Sequence, residues 1–159
     1  MTPPAVLQLV TLPTHETMND KQLLSEARRM ASLDAHMQHL GIEVVSVALG
    51  RAVLSLKVVE KHLNFNRTCH GGVIFSLADA AFGMCSSTHG VGGAGIAANI
   101  TYQVAVQLGE TLTATAVEVS RQRRFGVVQI EVRRDDGKLV SSFLGTSYIS
   151  GKPIALPEA

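Results

Sequence analysis

The chain has 159 residues, 46% of them hydrophobic and only 4% aromatic, with no tryptophan. That suits one folded domain with a core built mainly from Val, Ala, Leu and Ile, and it excludes a disordered chain. With 14 basic and 13 acidic residues the formal charge is +1, so no broad field exists to attract a nucleic-acid backbone or an anionic membrane, and neither is an expected partner.

Residues 1–19 carry Pro3, Pro4 and Pro13 and no sustained period, which predicts an arm outside the core. The apolar run AVLQLV at residues 5–10 is short and follows no Lys or Arg. Neither a signal peptide nor a membrane span is expected, and the chain is assigned to the cytoplasm. Two cysteines in such a chain, Cys69 and Cys85, are expected to be reduced thiols.

From Asp20 the pattern changes. Leu23, Leu24, Ala27, Met30, Ala31, Leu33 and Met37 recur at three- and four-residue steps, which predicts one amphipathic helix opened by Asn19 or Asp20 and closed at Gly41. Residues 42–49 and 51–59 are Val-rich runs around Gly50, two strands joined by a tight turn. Residues 60–69 are polar and irregular. The apolar segment 73–87 is too long for a typical strand and reads as a buried helix ending near His89-Gly90.

After the glycine-rich residues 90–95, strands are predicted over 96–106, 111–120, 126–134 and 139–149, the last two joined by the Asp-Gly hairpin signal at Asp136-Gly137. The order of helix, two strands, apolar helix and four strands predicts an α+β domain over residues 20–150, with 151–159 as a C-terminal tail. An apolar helix needs cover on most sides, and one antiparallel sheet supplies it by curling around the helix.

The chemistry concentrates in NFNRTCHGGVIFSLAD, residues 64–79. Gly71 and Gly72 leave the first N–H groups of the apolar helix unobstructed, and those groups have no intrahelical acceptor. Such amides stabilise an oxygen that gains negative charge, aided by the helix dipole; the plainer alternative is that the glycines only permit close packing. Asp79 is the lone charge between Gly71 and Ser87. It serves either a structural hydrogen bond or a reaction.

At 1.5 Å per residue, Gly71 and Asp79 lie roughly 12 Å apart along one helix, too far to act on one group. If both are catalytic, two antiparallel copies must each supply half of a composite site, and the enzyme is an obligate dimer.

This run resembles the motif of the hotdog-fold acyl-CoA thioesterases of the PaaI group, named for phenylacetic acid degradation, and the element order over residues 20–150 matches that fold. The resemblance implies a homodimer pairing again into a homotetramer, and hydrolysis of an acyl-CoA, such as a phenylacetyl-CoA, at the dimer interface without metal or other cofactor. By position it makes Gly71 the amide that polarises the carbonyl, Asp79 of the partner the general base or nucleophile, and Asn64 the group that orients water or carbonyl. His70 then shapes the site and Gly72 adjoins it. Two departures are visible: Tyr102-Gln-Val-Ala105 replaces an aromatic-Leu-Arg-Pro sequence, and Ala97 stands where some relatives carry a serine, with Asn99 or Thr101 nearby.

Arg121, Arg123 and Arg124 form the densest basic cluster, suited either to the phosphates of CoA or to an ordinary solvated turn. Cys69-His70 lacks an orienting partner and is discounted as a thiol nucleophile. His36 and His39 share a helical face but lack the spacing of a zinc site with His62 or His89, and read as surface residues. Two further readings stand beside hydrolysis: an acyl-CoA-binding module, which has no need of Asp79, and a hydratase or dehydratase, which would be expected to use a histidine base.

Overall fold

The computed structural model describes residues 9–11 and 18–157. A short strand, β1 (Leu9–Thr11), pairs antiparallel with the last one, β8 (Ala155–Pro157). The segment read as an arm thus carries backbone pairing that its composition did not announce; the rest of it lies largely outside the described residues.

The helix expected from Asp20 to Gly41 is two helices, α1 (Asp20–Leu33) and α2 (Ala35–Leu40). Asn19 caps α1: its side chain accepts from Gln22 N, and the Gln22 side chain accepts from Asn19 N, a reciprocal capping box. Asp34 makes the break. Its backbone leaves the helical region, at φ −86° and ψ 100°, and its Oδ1 accepts from His36 N and Met37 N, both at 2.9 Å. An acidic side chain that caps a second helix competes with continuing the first.

Strands β2 (Glu43–Ala48) and β3 (Arg51–Lys57) follow, turning at Gly50 with φ +67°. A 3-10 turn spans Glu60–His62. The long helix α3 (Gly71–Ser87) is followed by β4 (Val91–Tyr102), β5 (Thr111–Arg121), β6 (Phe125–Arg134) and β7 (Leu139–Pro153). Strands β2 to β7 form one antiparallel sheet in the order β2-β3-β5-β6-β7-β4. Alternate residues face inward: Ala52, Leu54 and Leu56 on β3, Leu112, Ala114 and Ala116 on β5, Val128, Ile130 and Val132 on β6. They meet Ile74, Leu77, Ala78, Ala81, Phe82 and Cys85 of α3, so the sheet wraps the helix as a helix apolar on most sides requires.

The glycine-rich segment read as a connection is the first half of β4. A Cβ on Gly93 would lie 2.5 Å from the Tyr148 carbonyl oxygen, and one on Gly95 would lie 3.0 Å from the Phe82 ring. Bare backbone is what lets this strand close onto β7 and α3, and two register shifts mark the accommodation. β4 is an edge strand of 12 residues with no buried residue.

Candidate active site

The chain between His62 and α3 forms a pinned loop. Leu63 bridges Cys69, and Asn64 Oδ1 accepts from Asn66 N at 2.9 Å and Thr68 N at 3.2 Å. Asn64 Nδ2 donates to Thr68 Oγ1 at 3.0 Å, and its second N–H has no recorded acceptor among the described residues. Arg67 closes the turn in the left-handed region at φ +63°. The loop is anchored from below by His62, whose carbonyl accepts from His70 N at 2.7 Å. Its ring is buried and its Nδ1 accepts from Val59 N, and burial lowers its pKa.

His70 is the N-cap of α3. Its Nδ1 accepts from Gly72 N at 2.9 Å, which commits the Gly72 amide and leaves the Gly71 N–H without an acceptor among the described residues. The two glycines therefore do different things. A Cβ on Gly72 would sit 3.0 Å from His70 Nδ1, so its bareness protects the cap. Gly71 is held by its other end, where its carbonyl accepts from Tyr102 Oη at 3.1 Å. Sequence reading missed that bond, because it joins residues on separate elements; the departure at Tyr102-Gln-Val-Ala105 contains the residue that fixes the helix start.

Asp79 lies on the intact α3, roughly 12 Å along the axis from Gly71. It is exposed in the single chain, yet apolar surroundings desolvate its carboxyl enough to raise its pKa, an effect opposed by His36. His36 is not a free surface residue. Its Nε2 is 2.9 Å from Ser76 Oγ, on α3 one turn before Asp79.

The arginine cluster divides. Arg121 pairs with Glu118 at 3.1 Å, and Glu118 also meets His89 at 3.0 Å. Arg124 donates to Tyr148 Oη and lies over its ring. Arg123 is exposed, with no ion-pair partner among the described residues. Arg121 also lines a cavity of about 90 Å³ between the C-terminal half of α3 and Gly92, Gly93 and Gly95 of β4. This is the opposite end of α3 from Gly71, so one chain does not bring the cluster to its own helix start.

Cys69 and Cys85 are both free and buried, with burial raising their pKa to about 11 and about 12. Neither is a ready nucleophile. Among the described residues no group of three or more His, Cys, Asp or Glu side chains converges, and no helix is long and apolar enough to cross a membrane.

A family model described as the thioesterase superfamily matches residues 66–141, the span that holds His70, Gly71 and Asp79. The chain is 36% identical to the acyl-coenzyme A thioesterase PaaI of Escherichia coli, over 80% of this chain and 91% of that one. It belongs to the thioesterase superfamily. Within that family its fold is the hotdog, α+β and PaaI-like, and it is a thioester hydrolase. The structure of the E. coli PaaI protein superposes with a TM-score of 0.81 at 34% identity, covering 85% of this chain and 98% of that one. A Streptococcus mutans structure bound to acetyl CoA superposes with a TM-score of 0.69 at 29% identity, covering 71% and 91%. Human acyl-coenzyme A thioesterase 13 is 28% identical over 68% of this chain and 79% of its own.

Proposed function

We propose that this thioesterase hydrolyses an acyl-CoA at two composite sites of a homodimer, each built from the helix start of one subunit and the carboxylate of the other. The observation that carries the reading is the pair of uncommitted groups on α3: the Gly71 N–H, free among the described residues, and the lone carboxylate eight residues on. The unpaired edge of β4 supports the dimer, since an exposed edge of 12 residues is a ready template for a second copy. Two such edges paired antiparallel set two α3 helices side by side in opposite directions. A further pairing into a homotetramer would use the outer sheet face, where Val117, Val119 and Leu144 are exposed.

In this reading the partner subunit's Asp79 takes a proton from water as the water oxygen bonds to the thioester carbon. The Gly71 N–H donates to the carbonyl oxygen and stabilises the negative charge that develops there. The C–S bond then breaks, CoA leaves as a thiolate, and the acid remains. Asn64 offers its second Nδ2–H to water or carbonyl, and His70 holds the turn. No metal or cofactor enters. Arg123 is the member of the cluster with a free guanidinium for a CoA phosphate, while Arg121 and Arg124 hold the turn through Glu118 and Tyr148. The acyl group is a phenylacetyl or related short, medium or aromatic group, acting in the cytoplasm.

The test is a panel of acyl-CoAs assayed by release of free thiol, with Asp79→Asn beside the natural chain. Hydrolysis should fall at least about a hundredfold, the usual scale for a positioned base, in a protein that stays folded and dimeric. Activity within a few-fold of the natural chain removes Asp79 from the reaction. Tight binding of acyl-CoA without turnover by the natural chain indicates a binding module instead.

A further inference from the structure

We propose that His36 is a positioning residue of the reaction centre: it holds Ser76, and through Ser76 the first turn of α3, while its ring lies within electrostatic reach of Asp79. The inference deepens the proposed function and rests on Asp79 being the base.

The hydrogen bonds have one consistent direction. The single proton of the Ser76 hydroxyl goes to the Gly72 carbonyl, 2.9 Å away. His36 Nε2 therefore carries the proton of the 2.9 Å contact and donates to Ser76 Oγ. This chain of bonds runs from α2 to the carbonyl of the residue whose N–H caps on His70. Tyr102 does the same for the neighbouring Gly71 carbonyl from β4. The first turn of α3 is thus held from two sides, with the free Gly71 N–H between them.

The same ring serves the other half of the machinery. Ser76 and Asp79 are three residues apart and share a helix face, so a ring bonded to Ser76 stands over the Asp79 side of α3. Among the described residues, His36 is the one side chain that acts electrostatically on the Asp79 carboxyl, and it favours the ionised form against the desolvation that opposes it. The other groups nearby are accounted for. From the α1–α2 junction, Asp34 is committed to the amides of His36 and Met37. Beyond α2, Lys61 Nζ donates to the His39 carbonyl. From β4, Tyr102 is the titratable group, and its hydroxyl is bonded to Gly71. α3 itself carries no second charge.

The capping by Asp34 explains why His36 is placed this way. A continuous helix through residue 34 would carry His36 on along the axis of α1; the break gives α2 its own axis, with Met37 and Leu40 buried beneath it.

The experiment compares His36→Ala, His36→Gln and Ser76→Ala as full-length chains. It uses pH profiles of kcat/KM on the acyl-CoA hydrolysed fastest by the natural protein. In His36→Ala the plateau of kcat/KM should fall about five- to tenfold, the scale of one lost hydrogen bond, and the acid limb should move up by about half a pH unit, as for two charges one helical turn apart near solvent. His36→Gln restores a donor for Ser76 but not a charge. Its plateau should return to within about twofold while its acid limb stays displaced. Ser76→Ala should lose plateau rate. A merely structural role would leave the limb where it was.

A His36→Ala profile that superposes on the natural one overturns the inference, as does a His36→Gln variant that restores both plateau and limb. If His36→Ala fails to fold, His36→Gln decides through its acid limb. Asp79→Asn in the same assay separates the two claims. If that variant stays active, the proposed function falls; if it is dead while the His36 variants match the natural chain, only the role of His36 falls.

Discussion

Gly145 packs against Phe82 of α3, the helix that carries Asp79. It sits on β7 opposite Ala98 and Val128, and a Cβ there would meet two carbons of the Phe82 ring at 2.9 Å and one of the Phe143 ring at 3.0 Å. Both rings are buried. Ordinary carbon contacts are 3.5–4.0 Å, so Gly145→Ala demands a displacement of about 0.6–1.1 Å. Overpacking of that kind costs about 1–3 kcal/mol, and the better strand propensity of Ala offsets about 0.5–1 kcal/mol. The mid-range net of about 1.3 kcal/mol lowers Tm by about 3–5 °C for a domain of this size.

The catalytic effect should be larger in proportion. Phe82 lies one turn beyond Asp79 on α3, and an ångström of misplacement costs up to about a hundredfold in rate. Thermal unfolding and kcat on one preparation measure both effects. Gly145→Ala combined with Phe82→Leu, which removes the crowded ring edge, should recover part of each. If the single variant keeps its Tm within about 1 °C and kcat within about twofold, the glycine is not holding α3 down and the packing account is wrong.

Three further outcomes follow from the site. Asp79→Asn should raise stability at neutral pH while removing activity. The raised pKa means that the folded chain binds a proton more tightly than the unfolded one, so stability falls as pH rises from the unfolded value through the folded one; a neutral side chain escapes that loss. The same shift moves the acid limb of activity upward from that of an ordinary aspartate, and denaturant midpoints at several pH values give the stability side. Gly72→Ala should push His70 off its cap, a loss of about 1 kcal/mol nearly balanced by the helix propensity of Ala; kcat/KM falls about tenfold with Tm little changed, and an unchanged rate would free the His70 cap from any role. Cys69 and Cys85, with pKa values of about 11 and about 12, should resist a thiol reagent at pH 8 in the native state and react only on unfolding; fast native labelling of either would contradict their burial.

What the sequence showed and what it hid divide along the range of the interactions. Asn19, the turn at Gly50 and the Asp136-Gly137 hairpin depend on neighbours within four residues, and α3 declared itself by the length of its apolar run. The break at Asp34 was hidden because a capping carboxylate looks like any polar residue on the outer face of a helix. The strand character of residues 91–95 was hidden because its reason lies on Phe82 and Tyr148, and the glycines alone suggest a loop. His36 read as a surface histidine because Ser76, its partner, is 40 residues away. Likewise Arg121 and Arg124 read as free charges until Glu118 and Tyr148 were placed beside them. The Asn64–Thr68 turn is the exception: its bonds are local, and an Asn four residues before a Thr was there to be read.

In the proposed function the separation of Gly71 from Asp79 calls for two chains, and it also has an electrostatic consequence. A carboxylate two turns inside a helix gains little from its own helix dipole, whose partial charge is felt mainly within the terminal turn. In the proposed antiparallel pair, the Asp79 carboxylate of one subunit faces the positive start of its partner's helix instead. That field favours the ionised base and opposes the desolvation that association itself increases. The dimer contact would then both dry the carboxylate and keep it charged, two requirements that conflict within a single chain. In that proposal His36 would act in the same direction from its own subunit, against the desolvation of the carboxyl.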